Sequence, residues 1–402
     1  MRTAFLYLGI ICVAAAFGCS EGPVNLAATV TDSAGIIVVV NPQTEWAPMG
    51  GWRVEVTPAL DIGGSSADSN YQFFRVRSCL RLADERLAVA NAGSYQIRFF
   101  DPVGHFSNAV GRKGGGPGEF EHITWAQKYR GDSILVFDRR LVRLSLFDSA
   151  GQLGRTVTLR DDDGRTVIGA VGAFGDGTFL AVAETVPELS EPGVFRPVWN
   201  LFRADAEGRV HDSLGTYIGE ESFFHVSPSG GAMDSRRLFA RKTEFAVTGD
   251  QFYAGFTENF EIHKHSSLGR LLASVRRGFS PVNVSEVEVS LLKDRQLDAV
   301  RHIEHLRDRV EEFLDAMPLP KTLPAFGPLL VDEVGNLWVQ EYAPPSHDER
   351  RWNVFGANGA LLAMLETPPG FEPLHIDENF LLGRWVDETG EEYVRLYRLF
   401  KS

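Results

Sequence analysis

One phrase recurs six times between residues 83 and 397, and it limits sharply what this chain can fold into. A turn carrying Asp or Gly leads into a short apolar run. Polar residues follow, then a second strand-like run, then usually a glycine turn. The apolar runs open at Leu87, Ile134, Phe179, Phe252, Leu337 and Phe380, and the second runs cover 96–101, 143–148, 199–203, 260–265, 351–355 and 393–397. With Leu87, Ile134, Leu180, Phe252, Leu337 and Leu381 taken as equivalent, the copies stand 47, 46, 72, 85 and 44 residues apart. A base period in the forties made of short strands is the mark of repeated sheet units.

Such a sheet has two apolar faces and cannot bury both by itself, so it must stack on neighbours until a ring closes. The sequence therefore predicts an all-β chain, a six-bladed β-propeller over residues 36–402 with a helical insertion between blades four and five. The uninterrupted apolar run is expected as the innermost strand, and the later run, with Arg, Ser or Lys interleaved, as an outer one. Ring closure must join the two ends of the chain. The β-branched run 36–40 is expected to pair within the blade built by the C-terminal strands, with 52–60 leading into blade one and 20–35 left as a flexible tether. The spacings of 72 and 85 mark insertions. In the second, Ser285-Glu286-Val287-Glu288 matches a capping box. Leu292, Val300, Ile303, Leu306, Val310, Phe313 and Met317 then fall at helical spacing until Pro318 and Pro320. This places helix over about 283–318, packed on the rim or lying as a lid over one mouth of the channel.

Residues 1–19 read as a leader: Arg2 follows Met1, 4–17 is apolar throughout, and Gly18-Cys19 precedes the polar Ser20-Glu21-Gly22-Pro23. The run has the proportions of a signal-peptide core and is too short for a confident membrane span. Gly18-Cys19 resembles a bacterial lipobox, which implies that Cys19 is lipidated and becomes the mature N-terminus. Ser20 resembles the residue found there in lipoproteins sent to the outer membrane, where this chain would face the periplasm. Ala16 and Phe17 depart from the usual pattern, and an ordinary secretory peptide cleaved within 14–18, giving a secreted or periplasmic protein, is the alternative. The formal net charge of −13 argues against nucleic acid and against adsorption to anionic lipid, so membrane contact is expected through the N-terminal lipid only. Of the three cysteines, Cys12 leaves with the leader and Cys19 carries lipid. Cys79 is then alone in an apolar strand, which rules out an intramolecular disulfide framework and suits a buried, inert thiol.

The segment Gly111-Arg112-Lys113-Gly114-Gly115-Gly116-Pro117-Gly118-Glu119-Phe120 resembles the Gly-rich inter-blade segment of NHL-type repeats. More closely, with Tyr71-Gln72-Phe73 and the turns at 100–104 and 147–151, it resembles a group of bacterial six-bladed β-propeller lipoproteins. The resemblance covers the mature chain, best over 60–160 and least over 210–330. It implies the fold, and no activity, since that group has none assigned.

The Gly-rich segment lacks a Gly-Lys-[Ser/Thr] ending and no helix pattern follows, so it reads as a connector and not a phosphate loop. Asn91, Asp138, Glu184 and Glu341 follow the apolar runs and should share one mouth of the channel. Oxygen ligands converging there would suit Ca²⁺ and ester or lactone chemistry; alternatively each caps its own turn. The equivalent positions in two copies are Phe256 and Trp385. His263 and His265 share a strand face, and His302 and His305 lie on the insertion helix; both pairs are expected on polar surface. No nucleophile elbow or His-Glu-x-x-His motif is present. The expected function is a monomeric binding or scaffold module for an envelope protein, peptide or glycan, without a cofactor. The alternative is a Ca²⁺-dependent hydrolase or lyase with its site at the channel mouth.

Overall fold

The computed structural model describes residues 28–43, 46–64, 68–161, 167–228 and 231–401; the leader and Cys19 lie outside them. Each copy of the phrase forms an antiparallel sheet, because its Val, Ile, Leu and Phe suit a pleated surface while Asp and Gly make the turns. Among the described residues, six sheets of four or more strands follow one another along the chain. The first holds Val76–Arg81, Leu87–Asn91, Gln96–Phe100 and Phe106–Val110; the second, Ile123–Tyr129, Ser133–Asp138, Arg143–Phe147 and Leu153–Thr158. The third holds Val167–Ala173, Phe179–Thr185, Val198–Ala204 and Val210–Ile218. The fourth is built on Thr243–Thr248, Gln251–Phe256, Glu261–Ser266 and Leu271–Arg277. The fifth comprises Phe326–Val331, Leu337–Glu341, Arg350–Phe355 and Leu361–Thr367, and the sixth Phe371–Ile376, Phe380–Val386 and Glu392–Phe400 with N-terminal strands added.

What joins them is the burial of one sheet's face against the next. Phe99 and Phe120 pack between the first and second sheets, Phe137 and Phe179 between the second and third, and Leu180 and Phe252 between the third and fourth. Phe260 and Phe355 fill the next junction, Trp338, Trp352 and Tyr397 the one after, and Phe100 with Leu396 closes sixth to first. All six sheets contribute their opening strands to the lining of a central cavity of about 720 Å³. Trp125 Nε1 donates to Ala170 O at 2.8 Å and Ala126 N to Ser78 Oγ at 2.8 Å across neighbouring opening strands, and Glu333 N, in the turn after the fifth sheet's opening strand, donates to Ile376 O at 3.0 Å. The chain is a β-propeller.

Three expectations change. The apolar run is the second strand of each sheet and not the innermost. Leu87–Asn91 is buried at every position, whereas Val76–Arg81 exposes Arg77. A second strand has strands on both edges and sheets on both faces; the innermost borders the channel and tolerates charge there. Next, the run 36–40 belongs to Ile36–Asn41, which lies parallel to Leu271–Arg277 on the outer edge of the fourth sheet. The C-terminal edge is instead covered by Arg53–Val54 and Leu60–Gly63, both antiparallel to Glu392–Phe400. Periodicity shows a strand but not its distant partner, and residues 60–63 take the edge nearest the first sheet. Finally, part of the expected tether is ordered: Thr29–Ser33 pairs with Ile36–Asn41 as a hairpin.

The described residues between 29 and 63 thus run as a belt over the outer edges of three sheets. Val39 is fully buried, and Gly359 (φ 82°) of the fifth sheet approaches so closely that a Cβ there would lie 3.1 Å from Val39. Asn41 Nδ2 donates to Arg276 O (3.2 Å) and Gly359 O (3.0 Å), and its Oδ1 accepts from Leu361 N (2.8 Å). Met49 then exchanges backbone hydrogen bonds with Met364 at 2.9 and 3.3 Å before the chain reaches the sixth sheet.

The second insertion is a pair of helices, α1 (Glu286–Ala299) and α2 (Glu304–Ala316), broken at residues 300–303. Ser285 caps α1, its Oγ accepting from Glu288 N at 3.3 Å, while the Glu288 carboxylate accepts from Ser346 N at 3.1 Å and ties the helix to the fifth sheet. No described helix is long and apolar enough to cross a membrane.

Closure through residues 60–63 leads to a testable contrast. Ile62 is 3 % exposed and Ile37 is 37 % exposed. Ile62→Ala should cost about 2–4 kcal/mol and Ile37→Ala under about 1 kcal/mol, read as urea midpoints at constant slope.

Candidate functional site

Each sheet's second strand ends where its innermost strand begins, so Asn91, Asp138, Glu184 and Glu341 lie at one end of the ring. Asp138 is fully buried, and its carboxylate accepts from the backbone amides of Glu121 (2.6 Å), His122 (2.9 Å), Arg140 (2.9 Å) and Leu141 (3.0 Å). Asn91 accepts from Phe74 N at 2.9 Å and donates to Ser94 Oγ at 2.9 Å. These two hold the corners where one sheet passes to the next. Glu341 accepts from Arg277 Nη1 at 3.0 Å, and Glu184 from Trp199 Nε1 at 2.7 Å. Among the described residues no three His, Cys, Asp or Glu side chains are grouped to hold a metal ion.

The Gly-rich segment is a connector whose carbonyls are gathered by an arginine. Arg143 donates to Gly115 O (2.7 Å), Gly116 O (2.9 Å) and Glu119 O (2.6 Å), and Arg98 does the same for Ser69, Asn70 and Gln72 one sheet earlier. His265 is largely buried, stacked on Phe252 at 4.8 Å, and burial pushes its pKa down; His263 lies 3.1 Å from Glu261. His302 and His305 are exposed. Cys79 is fully buried and burial pushes its thiol well up, which leaves it protonated and unreactive.

The same end carries every large insertion. Residues 186–197 interrupt the third sheet, 219–242 lead from it to the fourth, and 278–325 from the fourth to the fifth. Gly193–Phe195, Ser222–Val226 and Ala232–Arg236 pair as a small separate sheet, and Phe223, Leu238 and Phe239 pack on Phe313, Leu314 and Met317 of the helical segment. Glu221 fastens this assembly down. It is 1 % exposed and accepts from Arg196 Nε (3.0 Å) and Nη2 (2.6 Å), Arg237 Nη1 (3.4 Å) and Arg241 N (3.2 Å). Burial pushes its carboxyl up, but the hydrogen bonds from Arg196 and the Arg241 amide, with the charges of Arg196 and Arg237, outweigh that and hold it below the usual carboxylate range.

Between this cover and the ring lies a cavity of about 380 Å³. The innermost strand of the third sheet contributes Gly169, Ala170 and Val171, and its register shifts twice there, between Val167 and Gly169 and between Ala170 and Gly172. Small residues on an irregular strand leave room that larger ones would fill. Phe137, Phe245, Val182 and Trp199 add apolar wall, and the insertions add Phe195, Glu220 and Asp234. Glu184 and Trp199 are directly opposed across their hairpin, so the indole N–H holds the carboxylate in place. Glu220 is paired with Arg236 (2.8 Å) and Lys242 with Glu244 (3.0 Å). Of the four residues expected at the mouth, Glu184 alone lines this cavity. Trp199, Gly169, Asp234 and Glu221 escaped the sequence reading; an insertion beginning directly after Glu184 was the signal that could have found them.

Glu221→Ala should leave three arginines uncompensated, cost about 3 kcal/mol and loosen the cover. Because the folded pKa of Glu221 is lowered, its stabilisation is fully present above the unfolded value near about 4.3 and fades as pH falls through the folded one. Hydrogen exchange over the described residues of 219–242 should be faster in Glu221→Ala than in the wild type above that range, and the difference should vanish as pH falls through it.

No family model and no curated protein sequence matches this chain. Solved structures do resemble it. A protein of Bacteroides fragilis described as exported has 11 % identity and a TM-score of 0.50, covering 91 % of this chain and 99 % of its own. A member of the DUF4221 family from Bacteroides vulgatus also has 11 % identity and a TM-score of 0.50, over 87 % of this chain and 99 % of its own. A gluconolactonase of Xanthomonas campestris aligns at 12 % identity over 86 % of this chain and all of its own, with a TM-score of 0.41, too loose to carry its chemistry across. The likeness is one of fold.

Proposed function

We propose that this chain is an exported, six-bladed propeller that serves as a monomeric binding module of the cell envelope, held by lipid at Cys19 and related to the NHL-like lipoproteins its Gly-rich segment resembles. Its ligand, a peptide, protein or glycan group, enters the cavity beside Glu184. The observation that carries the reading is the placement of all three insertions at one end, where they cover a cavity with aromatic walls and a few charged side chains and leave the opposite end plain. Sites of this kind, concave and mostly apolar with a few placed polar groups, are what ligand-binding scaffolds build. Export is supported by the apolar leader, and the Bacteroides fragilis neighbour is described in the same terms. A Ca²⁺-dependent hydrolase or lyase at the same mouth is the second reading. One observation favours it: Glu184 has a single hydrogen-bond partner among the described residues, which leaves an oxygen for a cation.

Gly169→Leu separates the site from the rest of the molecule. A Cβ at Gly169 would stand 3.6 Å from Phe137 in ordinary contact, so the longer side chain fills the cavity without straining the backbone. In a thermal-shift panel of peptides and oligosaccharides, a ligand that raises the wild-type Tm should fail to raise that of Gly169→Leu. If Ca²⁺ raises Tm and the loaded protein opens esters or lactones, the second reading replaces the first.

A further inference from the structure

The cavity's chemistry narrows its ligand. Four aromatic side chains, Phe137, Phe195, Phe245 and Trp199, meet there with Val182, and such a surface favours an apolar body. The charge is more telling. Glu220 and Lys242 are neutralised by Arg236 and Glu244. What remains is Glu184, Asp234 and Arg139, and among the described residues none of the three has an ion-pair partner. Two carboxylates and one guanidinium thus line the cavity. Glu184 is the better placed, partly buried and held by the indole N–H at 2.7 Å, with its second oxygen accepting from no described residue.

A carboxylate with water partly excluded and aromatic faces beside it is the arrangement that recognises an ammonium group, through an ion pair on one side and cation–π contacts on the other. We infer that the cavity takes an ammonium group carried on an apolar, preferably aromatic, body, with Glu184 as its counter-ion. This rests on the cavity being the binding site. The volume, about 380 Å³, lies at the small end of the range for small-molecule sites, roughly 300–1,000 Å³. A free arylalkyl amine fits this chemistry, as does the amino end of a peptide beginning with an aromatic residue. Trp199 is a positioning residue: it holds Glu184 and forms wall. An anion of the same shape is disfavoured, since it would meet two carboxylates against the single guanidinium of Arg139.

Isothermal titration of the purified protein tests this with phenethylammonium, the neutral 2-phenylethanol, the anion 3-phenylpropionate, and Phe-Gly-Gly with and without an N-acetyl group. Phenethylammonium or Phe-Gly-Gly should bind at least about tenfold tighter than the anion and the acetylated peptide. Whichever of the two is tighter identifies the source of the amine. Glu184→Gln should weaken the amines about tenfold or more and leave 2-phenylethanol unchanged. Trp199→Phe, which keeps an aromatic ring and loses the indole N–H, should act in the same direction. The comparison of ligands on the wild type stands even if a variant fails to fold. Equal or tighter binding of the anion overturns the inference, as does no binding of any probe. If 2-phenylethanol or the anion binds best and Gly169→Leu abolishes it, the cavity remains the site and the ammonium assignment falls. If Gly169→Leu leaves all binding intact, both fall.

Discussion

No sheet in this molecule has a core of its own. Every apolar layer is shared: Phe99 is buried in one cluster with Phe120 of the connector and Phe147 of the next sheet, and Phe100 of the same strand in another with Leu396 at the far end of the chain. The ring is therefore a closed set of mutual obligations, and opening any junction exposes two faces at once. This is why the pairing of residues 60–63 with Glu392–Phe400 matters beyond its few hydrogen bonds. It joins the sheet that ends the chain to the segment leading into the first, and the last junction closes over it.

Such a ring is rigid and alike all round, so specificity has to come from what is added to it. Here the additions stand at one end and share a small core around Phe223, Phe313 and Met317, with Glu221 tying two of them together through Arg196, Arg237 and Arg241. The third sheet gives way beneath them. Its innermost strand, with Gly169 and Ala170 and two shifts of register, is the least regular surface facing the cover. The cavity is thus a joint product of a ring that yields and an insertion that does not quite fill the space.

The repeated phrase made the β-propeller architecture legible, because burial of a short strand on both faces leaves a plain mark: an apolar run such as Leu87–Ala90 bounded by turns. It did not show which strand of the sheet was innermost. Total burial belongs to a strand with neighbours on every side, and the channel strand carries Arg77 and Lys128 because one edge of it is free. Long-range partners were equally hidden, since the run 36–40 looks the same on either sheet's edge. Candidate site residues divided along the same line. Asp138 and Asn91 were recognisable as turn caps from their local sequence. The environment of Glu184 depends on Trp199 across a hairpin interrupted by an insertion and on Asp234 from another, and no spacing in the chain encodes that meeting.

The belt of residues 29–63 has a mechanical consequence. Tension on the N-terminal side of residue 29 reaches the hairpin on the fourth sheet first, then Asn41, then Met49, and only afterwards the strands that seal the ring. Releasing Ile36–Asn41 would uncover Val39 and break the bridge that Asn41 makes from Arg276 of the fourth sheet to Gly359 and Leu361 of the fifth, so the belt passes load into that junction before the ring seal is reached. Thr29–Ser33, exposed at every position, can strip first without uncovering buried surface and so serves as the belt's strain relief.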